Sequence, residues 1–224
     1  MSRLAVSSDA ISPSIDFCTG PDMKSFLRPV SSADTATWLS VPVEQVVAAV
    51  ELQADIARPS GETWSGYTRE ALRPGSTPRR AIAELGHTGA QFLIHVDARL
   101  PDLTAVTLPE SDAVHGDLEA GNILVGRDAQ TIGIIDMDAC GPGTRALDYA
   151  WLLRDAWAHD AGRAAIEVLE AMGQDVAGPD VFAACLSLAC VELVAFVAAR
   201  DPHRAQEEIA RLTPLLVQRP NGHF

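Results

Sequence analysis

Lysine is almost missing from this 224-residue chain: Lys24 stands alone against sixteen arginines, the kind of imbalance a biased genome leaves. Cysteine is scarce and unpatterned. Cys18, Cys140, Cys185 and Cys190 form no Cys-x-x-Cys, and no histidines fall at zinc-ligand spacing. That excludes a metal knuckle or a disulfide framework and makes a reducing cytoplasm the default compartment. The opening MSRLAVSSDAISPS lacks the apolar core of a secretory signal. There is no Gly-x-Ser-x-Gly nucleophile elbow, no Walker A sequence, no internal repeat and no heptad pattern. Positive charge is in deficit overall: a net charge of −13 repels a phosphate backbone, which excludes nucleic acid as a partner and favours cations.

What is present is concentrated at 113–150, AVHGDLEAGNILVGRDAQTIGIIDMDACGPGTRALDYA. Ile123, Leu124 and Val125 precede the polar turn Gly126–Gln130, and Ile132, Ile134 and Ile135 follow it, which predicts a β-hairpin. The hairpin would hold Asn122 at the start of one strand and Asp136 at the end of the other, on one open end, with Asp117 on the loop just before. A carboxylate that takes a proton from a hydroxyl, beside hard oxygen ligands for Mg²⁺, is what phosphoryl transfer needs. Singly, each of these residues is an ordinary turn or capping residue; their joint spacing is what points to chemistry. Asp138 and Arg145 read only as solvated or loop-pinning charges.

The segment resembles the catalytic core of the aminoglycoside phosphotransferase family, which is similar to the protein kinases. His115-Gly116-Asp117, four residues and Asn122 match its catalytic loop, and Asp136 opens its second motif, which here ends at Asp148-Tyr149-Ala150. Met137 and Tyr149 stand where an aromatic residue and a leucine are usual. The resemblance implies Asp117 as catalytic base, Asn122 and Asp136 as Mg²⁺ ligands, and His115 and Asp148 as braces of the loop. It implies ATP or GTP as donor and, as acceptor, a small cationic molecule bearing a hydroxyl, such as an aminoglycoside or a peptide antibiotic. Glu110, Asp112, Glu119, Asp136, Asp138 and Asp148 add to Asp117, so a carboxylate-lined cleft is expected to concentrate that acceptor.

The expected fold class is mainly α (α+β): a kinase-like C-terminal lobe, helical, with a small catalytic hairpin. Residues 1–22 read as a loose leader, 23–40 as a hinge strand and remnant of a small lobe, and 41–224 as the large lobe. Ser40 and Pro42 open a helix with Val43, Val46, Val47 and Val50 on one stripe, drawn to run over 43–57. Residues 58–80, rich in proline and glycine, read as irregular around at most a short helix. Helices are expected over 81–100, 145–158, 161–172, 179–200 and 203–218, with Gly173 as a C-cap and Pro214 bending or shortening the last. Gly141-Pro142-Gly143 reads as a turn. Trp64, Tyr67, Trp151 and Trp157 are candidates to stack on a sugar or base, with at least half expected in the core.

The run VFAACLSLACVELVAFVAA at 181–199 approaches bilayer-spanning length, but Glu192 and many small residues within it make it the central buried helix rather than a membrane span. In the family a β-rich small lobe comes first, with a glycine-rich cover and a lysine for the phosphates. No Gly-x-Gly-x-x-Gly occurs in the first hundred residues and Lys24 is the sole lysine. The chain therefore reads as shortened on its N-terminal side, with an apolar docking face prone to self-association. Two functions follow: a small-molecule kinase, or a catalytically inert remnant that keeps the large-lobe fold.

Overall fold

The computed structural model describes residues 27–29, 43–57, 62–126 and 132–217. The expected leader, Lys24, most of the hinge segment and most of the hairpin turn lie outside the described residues. Within them the order is β1 (Leu27–Pro29), α1 (Val43–Glu51), α2 (Trp64–Leu72), α3 (Thr77–Ala83), α4 (His87–Arg99), β2 (Asp112–Val114), β3 (Ile123–Gly126), β4 (Ile132–Ile134), β5 (Gly141–Gly143), α5 (Ala146–Ala158), α6 (Arg163–Ala198) and α7 (Pro202–Val217). Short 3₁₀ turns at Ala120–Asn122 and Met137–Ala139 lead into β3 and out of β4. The molecule is a helical body carrying two small antiparallel ladders, the mainly α architecture its sequence predicts.

The apolar stripe of α1 works as periodicity requires: Val46 and Val50 are buried, with Val43 and Val47 packed beside them. The helix stops at Glu51, short of the expected 57. Asp55 turns left-handed (φ 56°) and donates its N–H to the Asp112 carboxylate at 3.0 Å, which draws the chain to β2 instead. α2 was not expected at this length. Thr63 caps it by accepting from the Gly66 N–H at 3.0 Å, and Pro74 and Pro78 lie beyond its C-terminal end, so they do not interrupt it. The single helix expected over 81–100 is two, α3 and α4, parted at Gly86.

α5 is buried from Ala146 through Ala156, as only a central helix can be. α6 packs along it. Gly178 breaks α6 (φ 81°, ψ 162°), a conformation essentially reserved for glycine, and Pro179 restarts the helix. Gly173 is therefore not a C-cap. It sits inside the helix, where a Cβ would lie 2.1 Å from the Phe182 ring folded back against it. α6 is long and apolar enough to cross a membrane, with mean hydropathy 2.4 over its most apolar window, yet 72% of that window is buried against its neighbours. Burial in the core accounts for its apolarity. Glu192 accepts the Tyr67 hydroxyl at 2.6 Å, and Cys185 and Cys190 are buried thiols pushed up to about 12 by desolvation. Pro214 lies within α7, which continues to Val217.

β3 pairs with β4 in the register Ile123↔Ile134 and Val125↔Ile132, forming the expected hairpin, and β1 adds to it through Leu27↔Gly126. The second ladder was not foreseen. Gly141-Pro142-Gly143 is a strand and not a turn, paired with β2 through Asp112↔Gly143 and Val114↔Gly141. The two ladders bring the loop after β2 and the loop after β4 to the same place.

Candidate functional site

β2 ends at Val114, and the next two residues are held from beneath. The His115 N–H donates to Asp148 Oδ2 at 2.8 Å and the Gly116 N–H to Asp148 Oδ1 at 3.0 Å. Asp148 is wholly buried on the first turn of α5. Burial pushes its carboxyl up to about 6, against the pull of those two N–H groups. The His115 ring is buried as well, its Nε2 2.9 Å from the Ile135 carbonyl and its Nδ1 3.3 Å from the Asp117 N–H. A carbonyl can only accept, so Nε2 carries the proton and Nδ1 accepts from Asp117. One neutral imidazole thus ties the loop after β2 to the end of β4.

Asp117 follows at the rim, half-buried. Burial raises its carboxyl above the usual range; Arg154 opposes that, while Asp136 and Asp155 reinforce it. Asn122 lies against it, donating Nδ2 to the Asp117 carbonyl at 2.8 Å. The Asn122 carbonyl in turn accepts the Ile135 N–H at 3.0 Å, one step beyond the last strand pair. Asp136 comes next, exposed and left-handed (φ 63°, ψ 55°). A non-glycine residue in that region is uncommon and is held there by its surroundings. The hairpin thus brings Asp117, Asn122 and Asp136 to one end.

Among the described residues no group of three or more His, Cys, Asp or Glu is gathered to hold a metal. The donor set that fits one is smaller: the amide oxygen of Asn122, whose nitrogen is already engaged, and the carboxylate of Asp136. Both are hard oxygen ligands, and Mg²⁺ commonly takes one or two protein oxygens and fills its octahedron with phosphate and water.

Sequence reasoning missed the layer behind. Asp155, two helical turns beyond Asp148 on α5, accepts the Ala120 N–H at 2.9 Å and so pins the turn that delivers Asn122. Burial works to raise its carboxyl, but the bond with His159, the Ala120 N–H and Arg154 together hold it below the usual range. Arg154, itself buried, reaches Glu119 at 3.3 Å and stacks 4.3 Å over the Trp151 ring. The seven-residue spacing of the two aspartates was the available signal.

The carboxylate-lined cleft is smaller than expected. Asp112 is buried, accepting from the Arg145 backbone N–H at 2.9 Å and its guanidinium at 3.1 Å, while Asp148 lies beneath the loop and Glu119 pairs with Arg154. Glu110 accepts the Thr63 hydroxyl at 2.8 Å. Asp136 and Asp138 stay exposed beside half-buried Asp117. Arg145 is a loop-pinning residue, joining Asp112 to Glu51 at 3.1 Å. Of the aromatic candidates Trp151 is core, Trp157 donates to the Arg211 carbonyl at 3.0 Å, and Trp64 and Tyr67 meet edge to face with centroids 5.5 Å apart.

A search of curated proteins found no match. A sequence model described as the phosphotransferase enzyme family matches residues 40–185, a span that holds both loops, the hairpin and α5. Covering more than half of the chain, that match shows that this protein belongs to the phosphotransferase enzyme family.

Proposed function

We propose that the chain transfers the γ-phosphoryl group of ATP or GTP to a hydroxyl of a small cationic molecule, an aminoglycoside or related antibiotic, in the cytoplasm. The observation that carries this reading is the pair of bonds Asn122 Nδ2 to the Asp117 carbonyl and Ile135 N–H to the Asn122 backbone carbonyl, which draws Asp117, Asn122 and the segment entering Asp136 together inside the family-matched span. In this reading Asp117 accepts the proton of the acceptor hydroxyl as its oxygen bonds to the γ-phosphorus and the bridge to the β-phosphate breaks, releasing the nucleoside diphosphate. Asn122 and Asp136 would hold Mg²⁺, which neutralises charge on the phosphates when bound. Arg154 favours ionised Asp117 against its burial. Asp136 and Asp138 remain outside to meet a cation. Neither nucleic acid nor a membrane is a partner in this reading.

An inert protein that keeps only the substrate-lobe fold is the second reading, favoured by the single lysine and the missing glycine-rich sequence in the first hundred residues. Calorimetric titration with Mg·ATP and Mg·GTP, paired with a phosphate-transfer assay on a panel of aminoglycosides and cationic peptide antibiotics, separates the two. Saturable nucleotide binding with turnover on any acceptor supports the kinase. Folded protein without either supports the inert form.

A further inference from the structure

Trp64 touches both halves of the site. Its Nε1–H donates to the Ala139 carbonyl at 2.9 Å, at the close of the 3₁₀ turn that Asp136 opens. The same edge of its indole lies on Gly116 of the loop after β2, where a Cβ would fall 2.1 Å from Cζ2 and 2.6 Å from Nε1. Gly143 meets it too: a Cβ there would be 2.8 Å from Trp64 Cβ and 2.9 Å from Val114 Cγ2. Gly141 lies in ordinary contact. The glycines at 116 and 143 therefore leave room for a side chain that comes from a different helix. At Gly116 a positive φ of 83° adds a second reason for glycine.

The indole is itself firmly held. It stands at the first turn of α2, whose cap residue Thr63 accepts from Gly66 and donates to Glu110 at 2.8 Å, while Ser65 donates to the Pro109 carbonyl at 2.5 Å. Tyr67 meets it at right angles, with ring centroids 5.5 Å apart, and is fixed by Glu192 of α6. Asp136 sits in a left-handed conformation that persists only when its surroundings over-determine it. β4 and the His115 bond fix the chain entering that residue, and Trp64 fixes the turn leaving it.

We propose that Trp64 is a positioning residue that couples the loop of Asp117 to the loop of Asp136, so that neither loop relaxes independently of the other. Its kinetic consequence rests on the phosphotransferase reading; the coupling does not.

The test is amide hydrogen exchange on the full chain, following peptides that cover 114–118 and 137–143. Trp64→Phe keeps a ring on Gly116 but deletes the donor to Ala139, and exchange should quicken about fivefold to tenfold in both peptides. Quickening confined to 137–143 would mean an isolated hydrogen bond and would overturn the coupling. The β2–β5 ladder also joins these segments, so a double-mutant cycle decides which route carries the effect. Gly116→Ala should quicken 137–143 in the wild-type background and lose that long-range effect in Trp64→Ala. An undiminished effect there would assign the coupling to the strands and sink the proposal. In the transfer assay Trp64→Phe should lower turnover about tenfold with acceptor KM little changed. Wild-type protein with no turnover would defeat the functional reading alone, because the exchange cycle judges the coupling without it.

Discussion

At the scale of single residues, the proposed phosphoryl transfer gives two carboxylates different duties. In that proposal Asp117 takes the acceptor proton and Asp136 holds the donor's metal, so their substitutions should fail differently. Asp117→Asn should lower turnover by about 100-fold or more while Mg·nucleotide affinity stays near wild type. Asp136→Ala should weaken metal-dependent nucleotide binding itself, read by calorimetry with and without Mg²⁺. Equal loss of affinity in both variants would refute this division. Arg154 supplies a sharper check. Burial raises the Asp117 carboxyl and Arg154 is the largest influence opposing it, so Arg154→Met should raise its pKa further. The acid limb of the kcat/KM profile should then move to higher pH, whereas an unmoved limb with lower rate throughout would make Arg154 purely structural.

At the scale of elements, α6 contains two glycines that are required for opposite reasons. Gly178 has open space around its absent Cβ but a backbone conformation other residues avoid, so Gly178→Ala should cost about 1–3 kcal/mol as backbone strain alone. Gly173 has ordinary helical geometry but no room, so Gly173→Ala should cost about 1–3 kcal/mol by overpacking against Phe182. Urea denaturation distinguishes them. Phe182→Leu should recover part of the Gly173→Ala loss and none of the Gly178→Ala loss, and equal recovery in both would contradict the assignment.

At the scale of the whole molecule, charge and burial act together on stability. Burial raises the carboxyls of Asp117, Glu119, Asp148, Glu170 and Glu192, with Asp148 reaching about 6 from 3.8, whereas the partners of Asp155 and Glu51 outweigh burial and lower theirs. A carboxyl raised in the folded state binds more protons there than when unfolded, so its contribution is present below the unfolded value and is lost as pH climbs through the folded one. His159, raised by its bond to Asp155, acts in the same direction above pH 6.5. Self-repulsion at −13 adds to both. The urea midpoint should therefore fall between about pH 5 and pH 7.5, with Asp148 alone accounting for roughly 1–1.5 kcal/mol of the change. Asp148→Asn should flatten that profile; a wild-type midpoint that does not fall over this range would refute the assignment, because the lowered carboxyls of Asp155 and Glu51 are ionised in both states there and add no slope.

Patterns that are local in the chain were legible without coordinates. The valine stripe of α1, the apolar strands about a polar turn and the spacing of Asp117, Asn122, Asp136 and Asp148 all express short-range geometry, and side-chain period alone determines which residues face together. The hairpin had to bring Asn122 near Asp136 once both flanked it. What the tertiary structure alone decided is every partner that arrives from elsewhere. Arg145 clasps Glu51 and Asp112, Asp155 holds the Ala120 N–H, and Gly141–Gly143 becomes a strand because β2 has unpaired groups to offer it. Trp64 on α2 fills the space left by Gly116 and Gly143. A glycine reads as a turn when only its own conformational freedom is considered; that it also makes room for a distant indole depends on a contact across more than fifty residues, which no local pattern encodes.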